Sequence, residues 1–514
     1  MDATTLQKRN PKRWLILIVL CLSTLVLVID NMVLTVAVPP IAEDLGASAQ
    51  DIQWIIDSYI LVFAGLLLTA GSLSDRFGRR RTMIIGLVLF GGASILATWA
   101  GSPEQLILAR VLMGIGGALV MPSTLSILIT VFDDAERPKA ISAWSAVAMV
   151  GLVGGPVLGG VLISKFWWGA VFLINIPIAA LAIVAALVLM PESKGPWRKV
   201  DLVGMVLSVI GMTALVYAII EAPKGLTHTN TLVGAGIALV TMTVFAIWEV
   251  KSDAPMVPLS LFRNRVFTGA SFSLVLLTFA NGGLMLVLTQ YLQFVLGYSP
   301  TETGLAFAPL AVASLAFQAM GAALIGKVGT RAVTATGLLV IAAGFGVLAS
   351  MGEGDGWGTL ATAMVVLGAG AGLAMPAAIA ALMGAVPEEH AGVGSALNDT
   401  IQQAGAALGV AILGAVLSST YTSKMPDDAP EQARKSFGDA LVVAGKTKES
   451  GLIAAARDAF TSAMSTSMLA GAAGVLAAAA LATVLMKGRD KDDSAAAQEA
   501  PAADGTGSAL DPAQ

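Results

Sequence analysis

Apolar runs of about twenty residues recur along this chain, separated by short polar or glycine- and proline-bearing breaks. A hydrocarbon core needs about 20 predominantly apolar residues per spanning helix. The runs predict helices near 14–38, 53–73, 82–100, 105–131, 141–163, 170–190, 201–221, 231–250, 267–292, 303–325, 332–351, 357–383, 392–418 and 463–486. This is the pattern of an all-α integral membrane protein with fourteen transmembrane helices. The first run follows Lys8, Arg9, Lys12 and Arg13, as a signal peptide would. It is too long for one, carries Asp30, and leads into Pro39-Pro40 rather than a small-residue cleavage site, so it reads as a spanning helix.

The polar positions inside these runs carry the chemistry. VLVIDNMVLT (26–35) sets Asp30 and Asn31 among lipid-soluble residues. An acid at bilayer depth costs about 2.5–3.5 kcal/mol on an insertion scale, so it marks a functional position by default. Asp57, in WIIDSYILVF, lies one turn into the second run, and Arg110 about five residues into the fourth. Antiparallel packing brings Asp30, Asp57 and Arg110 to similar depth. Arg110 is expected to pair with an acid or line a cavity, and the alternative is snorkelling to headgroups. Asp57 has its own bland alternative, an exposed acid at the interface. In the thirteenth run Asn398, Asp399, Gln402 and Gln403 crowd polarity together, with 399 and 402–403 on one helix face. That group reads equally as a secondary proton or substrate site or as a polar contact at a gate. Asn281, Gln290, Gln293 and Gln318 are candidates for a polar cavity lining in the second half of the chain.

Composition agrees with the pattern. The chain has 514 residues, 56% hydrophobic and only 12% charged, against roughly 25% charged in soluble domains. A net charge of −4 and the lack of a basic patch give no sign of nucleic-acid binding. The one cysteine, Cys21, allows no intramolecular disulfide, and the two distant histidines, His228 and His390, suggest no metal site.

Lys and Arg placement gives orientation. Arg76, Arg79, Arg80 and Arg81 follow the second run, and Lys194, Arg198 and Lys199 follow the sixth. With these segments inside, both termini are expected to be cytoplasmic. Segment 421–462 is then a long outer loop, read as a solvated connector, and the Ala/Asp/Pro-rich end of the chain as a disordered tail.

The chain also resembles itself. RVLMGIGGALVMPSTLSIL (110–128) matches MVVLGAGAGLAMPAAIAAL (364–382), aligning Gly114 with Gly368, Gly116 with Gly370, Met121 with Met375 and Pro122 with Pro376. The same offset pairs Gly151 with Gly405, Gly155 with Gly409 and Gly160 with Gly414. This organises the chain as an N-terminal segment (1–13), a six-helix bundle (14–190), two additional helices (191–266), a second six-helix bundle (267–486, including 421–462) and a tail (487–514). Parallel six-helix halves around a midplane site form a transporter architecture. A further register, sliding Gly46 onto Gly297, sets Asp30 opposite Asn281.

Five segments together resemble a known family. GSLSDRFGRRRT (71–82) is similar to the loop 2–3 signature of the major facilitator superfamily, LILARVLMGIGGA (106–118) to its helix 4 motif, and GLVGGPVLGG (151–160) to its antiporter motif. VLVIDNMVLTVAVPPI (26–41) and FLINIPIA (172–179), with Asn175 and Pro177, resemble signatures of the fourteen-helix drug:proton antiporters. The resemblance spans the helices but neither the loop 421–462 nor the tail. Met113 departs from it, standing where the family often has glutamine.

The resemblance implies a major facilitator fold in a 6+2+6 arrangement. It implies a latch between the halves at Gly71, Asp75, Gly78 and Arg79, against the plainer reading of positive-inside anchoring. It assigns Gly151, Gly155, Pro156, Gly159 and Gly160 to a helix that seals the halves; ordinary small-residue packing is the physical alternative. The expected function is proton-driven export of lipophilic cations from a bacterial inner membrane by a monomer, with the proton gradient and no cofactor as energy source. Asp30, Asp57 and Asp399 would hold protons or cationic drugs, Arg110 would be the charge partner, and Asn31, Asn281, Gln290, Gln318, Asn398 and Gln402 the polar cavity groups. The alternatives are a dedicated exporter of one endogenous antibiotic or metabolite, a proton-coupled nutrient importer, and a membrane-embedded enzyme or sensor. No nucleophile–base pair or sizeable soluble domain favours the last.

Overall fold

A computed structural model describes residues 10–195, 201–221, 228–252, 255–352, 357–447 and 450–486. The tail 487–514, nearly all of the N-terminal segment and the basic residues Arg198 and Lys199 lie outside this range. The described residues form helices and connecting turns, with no strand among them.

In chain order the helices are α1 (Arg13–Leu45), α2 (Ala49–Phe77), α3 (Arg79–Thr98), α4 (Pro103–Val131), α5 (Arg137–Lys165), α6 (Ala170–Leu173), α7 (Asn175–Leu189), α8 (Leu202–Glu221) and α9 (Thr229–Lys251). They continue with α10 (Arg265–Gln290), α11 (Pro300–Ala306), α12 (Ala308–Ala349), α13 (Trp357–Gly384), α14 (Ala391–Lys424), α15 (Phe437–Thr447) and α16 (Ser450–Leu485). Twelve stretches of the described residues are helical, long and apolar enough to cross a membrane. One of them, Glu302–Ala349, contains the predicted run 303–325 and all but the last two residues of 332–351, and is broken at Gly329, whose φ of 81° is open to glycine at little cost. The predicted run 141–163 lies in α5, a further 29-residue helix.

Local chemistry sets the ends. Ser48 caps α2 in a reciprocal box with Asp51, and Ser299 caps α11 in the same way with Glu302. Helix α1 passes through Pro39 and Pro40 and stops at Gly46, whose φ of 60° is left-handed. The predicted sixth helix is divided: α6 and α7 meet at Ile174, immediately before Asn175. Helix α16 starts well before its predicted onset at 463, so part of the expected outer loop is helical. Apolar side chains such as Leu239, Val250 and Val188 stand largely exposed, as the lipid-facing side of a membrane helix requires.

The repeat is visible as matching backbone contacts. A Cβ on Gly116 would fall 2.8 Å from the Gly86 carbonyl of α3; one on Gly370 would fall 2.7 Å from the Gly337 carbonyl of α12. Small residues at these positions let backbones approach closely. Gly151 and Gly155 of α5 likewise meet Val28 and Met32 of α1, where Gly405 and Gly409 of α14 meet Val275 and Phe279 of α10. These contacts set Leu277, rather than Asn281, opposite Asp30. The register expected from Gly46 and Gly297 is therefore corrected by four residues. The shift was not legible in the residues: α10 runs on through a π-helical turn, Tyr291–Val295, before reaching Gly297.

Candidate functional site

The polar centre of the first half is a knot around Asp30. Arg110 Nη1 of α4 donates to Asp30 Oδ2 at 2.5 Å, with both side chains 1% exposed. Asn175 Nδ2, at the start of α7, donates to Asp30 Oδ1 at 2.8 Å and reaches Ser94 Oγ of α3 at 3.3 Å. Arg110 Nε also donates to the Ile55 carbonyl of α2 at 3.2 Å, and its guanidinium lies 4.3 Å from the centre of the Tyr59 ring. Glycines on α4 make room for that ring: a Cβ on Gly117 would stand 3.0 Å from the Tyr59 hydroxyl. A buried charge of this kind is tolerated only when paired and hydrogen-bonded, and five helices contribute to the pairing. Asp30, Arg110 and Asn175 were legible in the sequence. Tyr59, Ser94 and the Ile55 carbonyl were not, because neither a tyrosine nor a serine in an apolar helix stands out.

A cavity of about 130 Å³ lies between the two halves. Thr24 and Val28 of α1, Trp144 and Met149 of α5, Asn281 of α10 and Gln318 of α12 line it, with Gln402 of α14. The repeat-related Met121 and Met375 line it from opposite halves. Its walls are apolar with a few neutral polar groups, the composition of a small-molecule site. None of its lining residues is an acid. Asp30 faces Arg110 and Asn175, while its helix presents Thr24 and Val28 to the cavity. Trp144 Nε1 ties this wall together, donating to Thr24 Oγ1 at 3.0 Å and Thr124 Oγ1 at 3.2 Å.

The other predicted polar residues are dispersed. Asp57 does not join Asp30 and Arg110; it lines a separate pocket of about 140 Å³ with Gln53, Trp54, Tyr217, Glu221 and Asn230, between α2 and the two additional helices. Asp57 lies on the face of α2 away from Tyr59. Asn31 donates to the Leu27 carbonyl of its own helix at 2.8 Å. Asp399 is buried and accepts from Asn398 Nδ2 at 3.0 Å, and its Oδ2 has no hydrogen-bond partner among the described residues. Gln290 lines a third cavity, near segment 435–439.

At one end of the bundle the halves are tied together. Arg79 donates through Nε and Nη2 to Asp75 Oδ1 at 3.0 and 2.8 Å, and through Nη2 to the Glu388 carbonyl at 2.7 Å. Asp75 accepts from the amides of Gly392 (2.8 Å) and Val393 (3.0 Å), buried donors in the first turn of α14 that have no acceptor within their own helix. Arg137 adds a contact to Glu388 Oε1 at 3.1 Å. Gly71 permits the approach, since a Cβ there would lie 2.6 Å from the Gly392 carbonyl. Gly78 has a φ of 116° and turns the chain beside the Glu192 carboxylate. Glu192, Glu388 and the α14 amides were not anticipated; backbone partners and flexible loop acids leave no pattern to read.

The antiporter-type glycines have a more local role than expected. Gly151, Gly155 and Gly159 face Val28, Met32 and Val33 of α1 in their own half, and a Cβ on Gly160 would meet nothing within 4 Å. Helix α5 does also pack on α11, α12 and α13. Pro156 sits within the helix, its side chain outside the described ones, and Pro177 lies in the first turn of α7.

Two related sets of helices enclosing a central cavity, with a charge knot in one set, define a multi-pass membrane transporter. The chain belongs to the Major Facilitator Superfamily, whose family model matches residues 20–410. It is 35% identical over 499 residues to the multidrug efflux pump LfrA of Mycolicibacterium smegmatis, covering 95% of this chain and 99% of that protein. It is 34% identical over 468 residues to the methyl viologen resistance protein SmvA of Salmonella typhimurium, covering 87% and 93%. The fold is shared with the human organic anion transporter MFSD10, with a TM-score of 0.61 at 15% identity over 90% of this chain and 100% of that one. The protein is an efflux transporter of small molecules and not an enzyme.

Proposed function

We propose that this protein exports lipophilic organic cations in exchange for protons by alternating access, as a monomer in a bacterial plasma membrane. In this reading the chain crosses fourteen times in a 6+2+6 arrangement, with both termini and the Asp75–Arg79 latch on the cytoplasmic side. The observation that carries it is the buried Asp30–Arg110–Asn175 knot on the helix that also supplies Thr24 and Val28 to the cavity.

A proton arriving on Asp30 removes the charge that holds Arg110 and frees α1 to shift against α4. Because the cavity lining holds no acid, proton and drug act on one another through α1 rather than by competing for a single carboxylate. Where the exchange carries one net charge inward, the membrane potential contributes about 2.3 kcal/mol per 100 mV, which suffices for gradients of several-fold to tens-fold. Cation selectivity is supported by the likeness to a methyl viologen resistance protein and by the apolar, methionine-bearing walls, which suit a flat cation. Asp57 and Asp399 remain candidates for secondary proton or cation sites. Opening of the Asp75–Arg79 latch admits the drug from the cytoplasm.

Expression in a pump-deficient bacterial host tests the reading. It predicts lowered accumulation of ethidium and methyl viologen, restored by a protonophore. Unchanged accumulation of both, or efflux indifferent to the protonophore, contradicts it.

A further inference from the structure

The cavity that Gln290 lines holds about 590 Å³, several times the central one. That falls within the range of 300–1,000 Å³ typical of small-molecule sites. It lies between α10, α14 and α16, at the end of the bundle away from the latch, under segment 435–439.

Its roof is anchored. Tyr421 donates to the Ala433 carbonyl at 3.1 Å and Thr422 to the Arg434 carbonyl at 3.0 Å, fastening segment 433–434 onto the end of α14. Phe437 is 3% exposed and wedged between Phe294, at 6.2 Å between ring centres, and Phe460, at 5.5 Å. A half-buried Asp439 lines the cavity, held by Ser436 Oγ at 2.8 Å, and the more exposed Lys435 also lines it. An aromatic wall beside one partly buried carboxylate is chemistry that favours a planar organic cation. The site shares two helices with the central cavity but no lining residue, and lies on their other faces. Helix α10 presents Asn281 and Leu284 to the first and Leu286 and Gln290 to the second; α14 presents Gln402 and then Val410 and Gly414.

We propose that this cavity is a second binding site for the transported molecule, a drug-sized aromatic cation. The inference rests on the export reading above. Segment 421–462 is then more than a connector, because its residues form one wall of a ligand site.

The test uses the full chain in nanodiscs, where both ends are accessible, with Cys21→Ala removing the native thiol and Ser418→Cys placing one in the cavity wall. Ethidium is the probe. Labelling of the cysteine by a water-soluble maleimide is expected to slow at least fivefold with saturating ethidium. Ala415→Phe, which fills the cavity, is expected to abolish that protection. Asp439→Asn is expected to raise the ethidium concentration needed for half-protection several-fold. Labelling unaffected by ethidium, in a protein that still exports ethidium from proteoliposomes, overturns the second site and leaves the export reading standing. A protein that exports no ethidium overturns the export reading itself. Protection that survives Ala415→Phe shows a remote conformational effect and overturns the site. So does a cysteine blocked in nanodiscs with or without ethidium but reactive in detergent, which makes lipid the occupant.

Discussion

Asp30 and Arg110 stand eighty residues apart in sequence and 2.5 Å apart in the fold, each side chain 1% exposed. Neither side chain reaches solvent, so each depends on the other and on Asn175 and the Ile55 carbonyl for its remaining hydrogen bonds. That dependence gives the pair a distinct mutational signature.

Removing one partner of a buried ion pair leaves an uncompensated charge and costs about 3–5 kcal/mol. Replacing both with neutral groups of similar size avoids that penalty. Arg110→Met is therefore expected to lower the thermal unfolding midpoint of the detergent-solubilised protein sharply. Arg110→Met combined with Asp30→Asn is expected to recover most of the loss. Additive losses in the double variant would show that the two charges do not depend on one another.

The latch makes a second prediction. Asp75 accepts from two backbone amides of the opposite half and from Arg79. Hydrogen bonds to a charged group contribute about 1.5–3 kcal/mol each, and about 1.4 kcal/mol is a tenfold change in an equilibrium. Asp75→Asn is expected to shift the bundle toward opening at that end by at least tenfold. Spin labels at Arg81→Cys and Glu389→Cys, in a Cys21→Ala background, read this as a longer and broader distance distribution. An unchanged distribution contradicts the latch.

The glycines of GLVGGPVLGG are expected to differ in tolerance. Gly155 has no room for a side chain against Met32, and overpacking costs about 1–3 kcal/mol. Gly154 and Gly160 face open space, where small changes stay within about 0.5 kcal/mol. Gly155→Val should lower both stability and efflux, whereas Gly154→Ala and Gly160→Ala should leave both near wild type. Growth of an ethidium-challenged host together with thermal unfolding checks this; equal sensitivity at all three positions contradicts the packing assignment.

Much of the fold was legible because lipid imposes a length on each helix and penalises charge inside it. Asp30 and Arg110 stood out against apolar runs, Asn175 came from the family-like segment FLINIPIA, and the duplicated Gly and Met-Pro positions announced two related halves. Helix rotation was not legible. A helix buried in lipid and protein has no single polar face to mark which way it turns. Asp57 was thus expected beside Arg110 but lines the pocket on the other side of α2, and Gln290 was assigned to the central cavity rather than the one beside Phe437. The roof segment around Phe437 read as a connector because its polar surface conceals four anchoring aromatic and hydroxyl contacts.

The central claim is that Asp30 couples proton flow to drug flow. Purified wild-type protein and Asp30→Asn, matched for folding and amount in proteoliposomes, are compared for ethidium transport under an imposed pH gradient and without one. The account predicts that wild type concentrates ethidium against its gradient, while Asp30→Asn loses at least tenfold of the gradient-driven rate and keeps downhill ethidium movement. An Asp30→Asn protein that still concentrates ethidium at near the wild-type rate would contradict it.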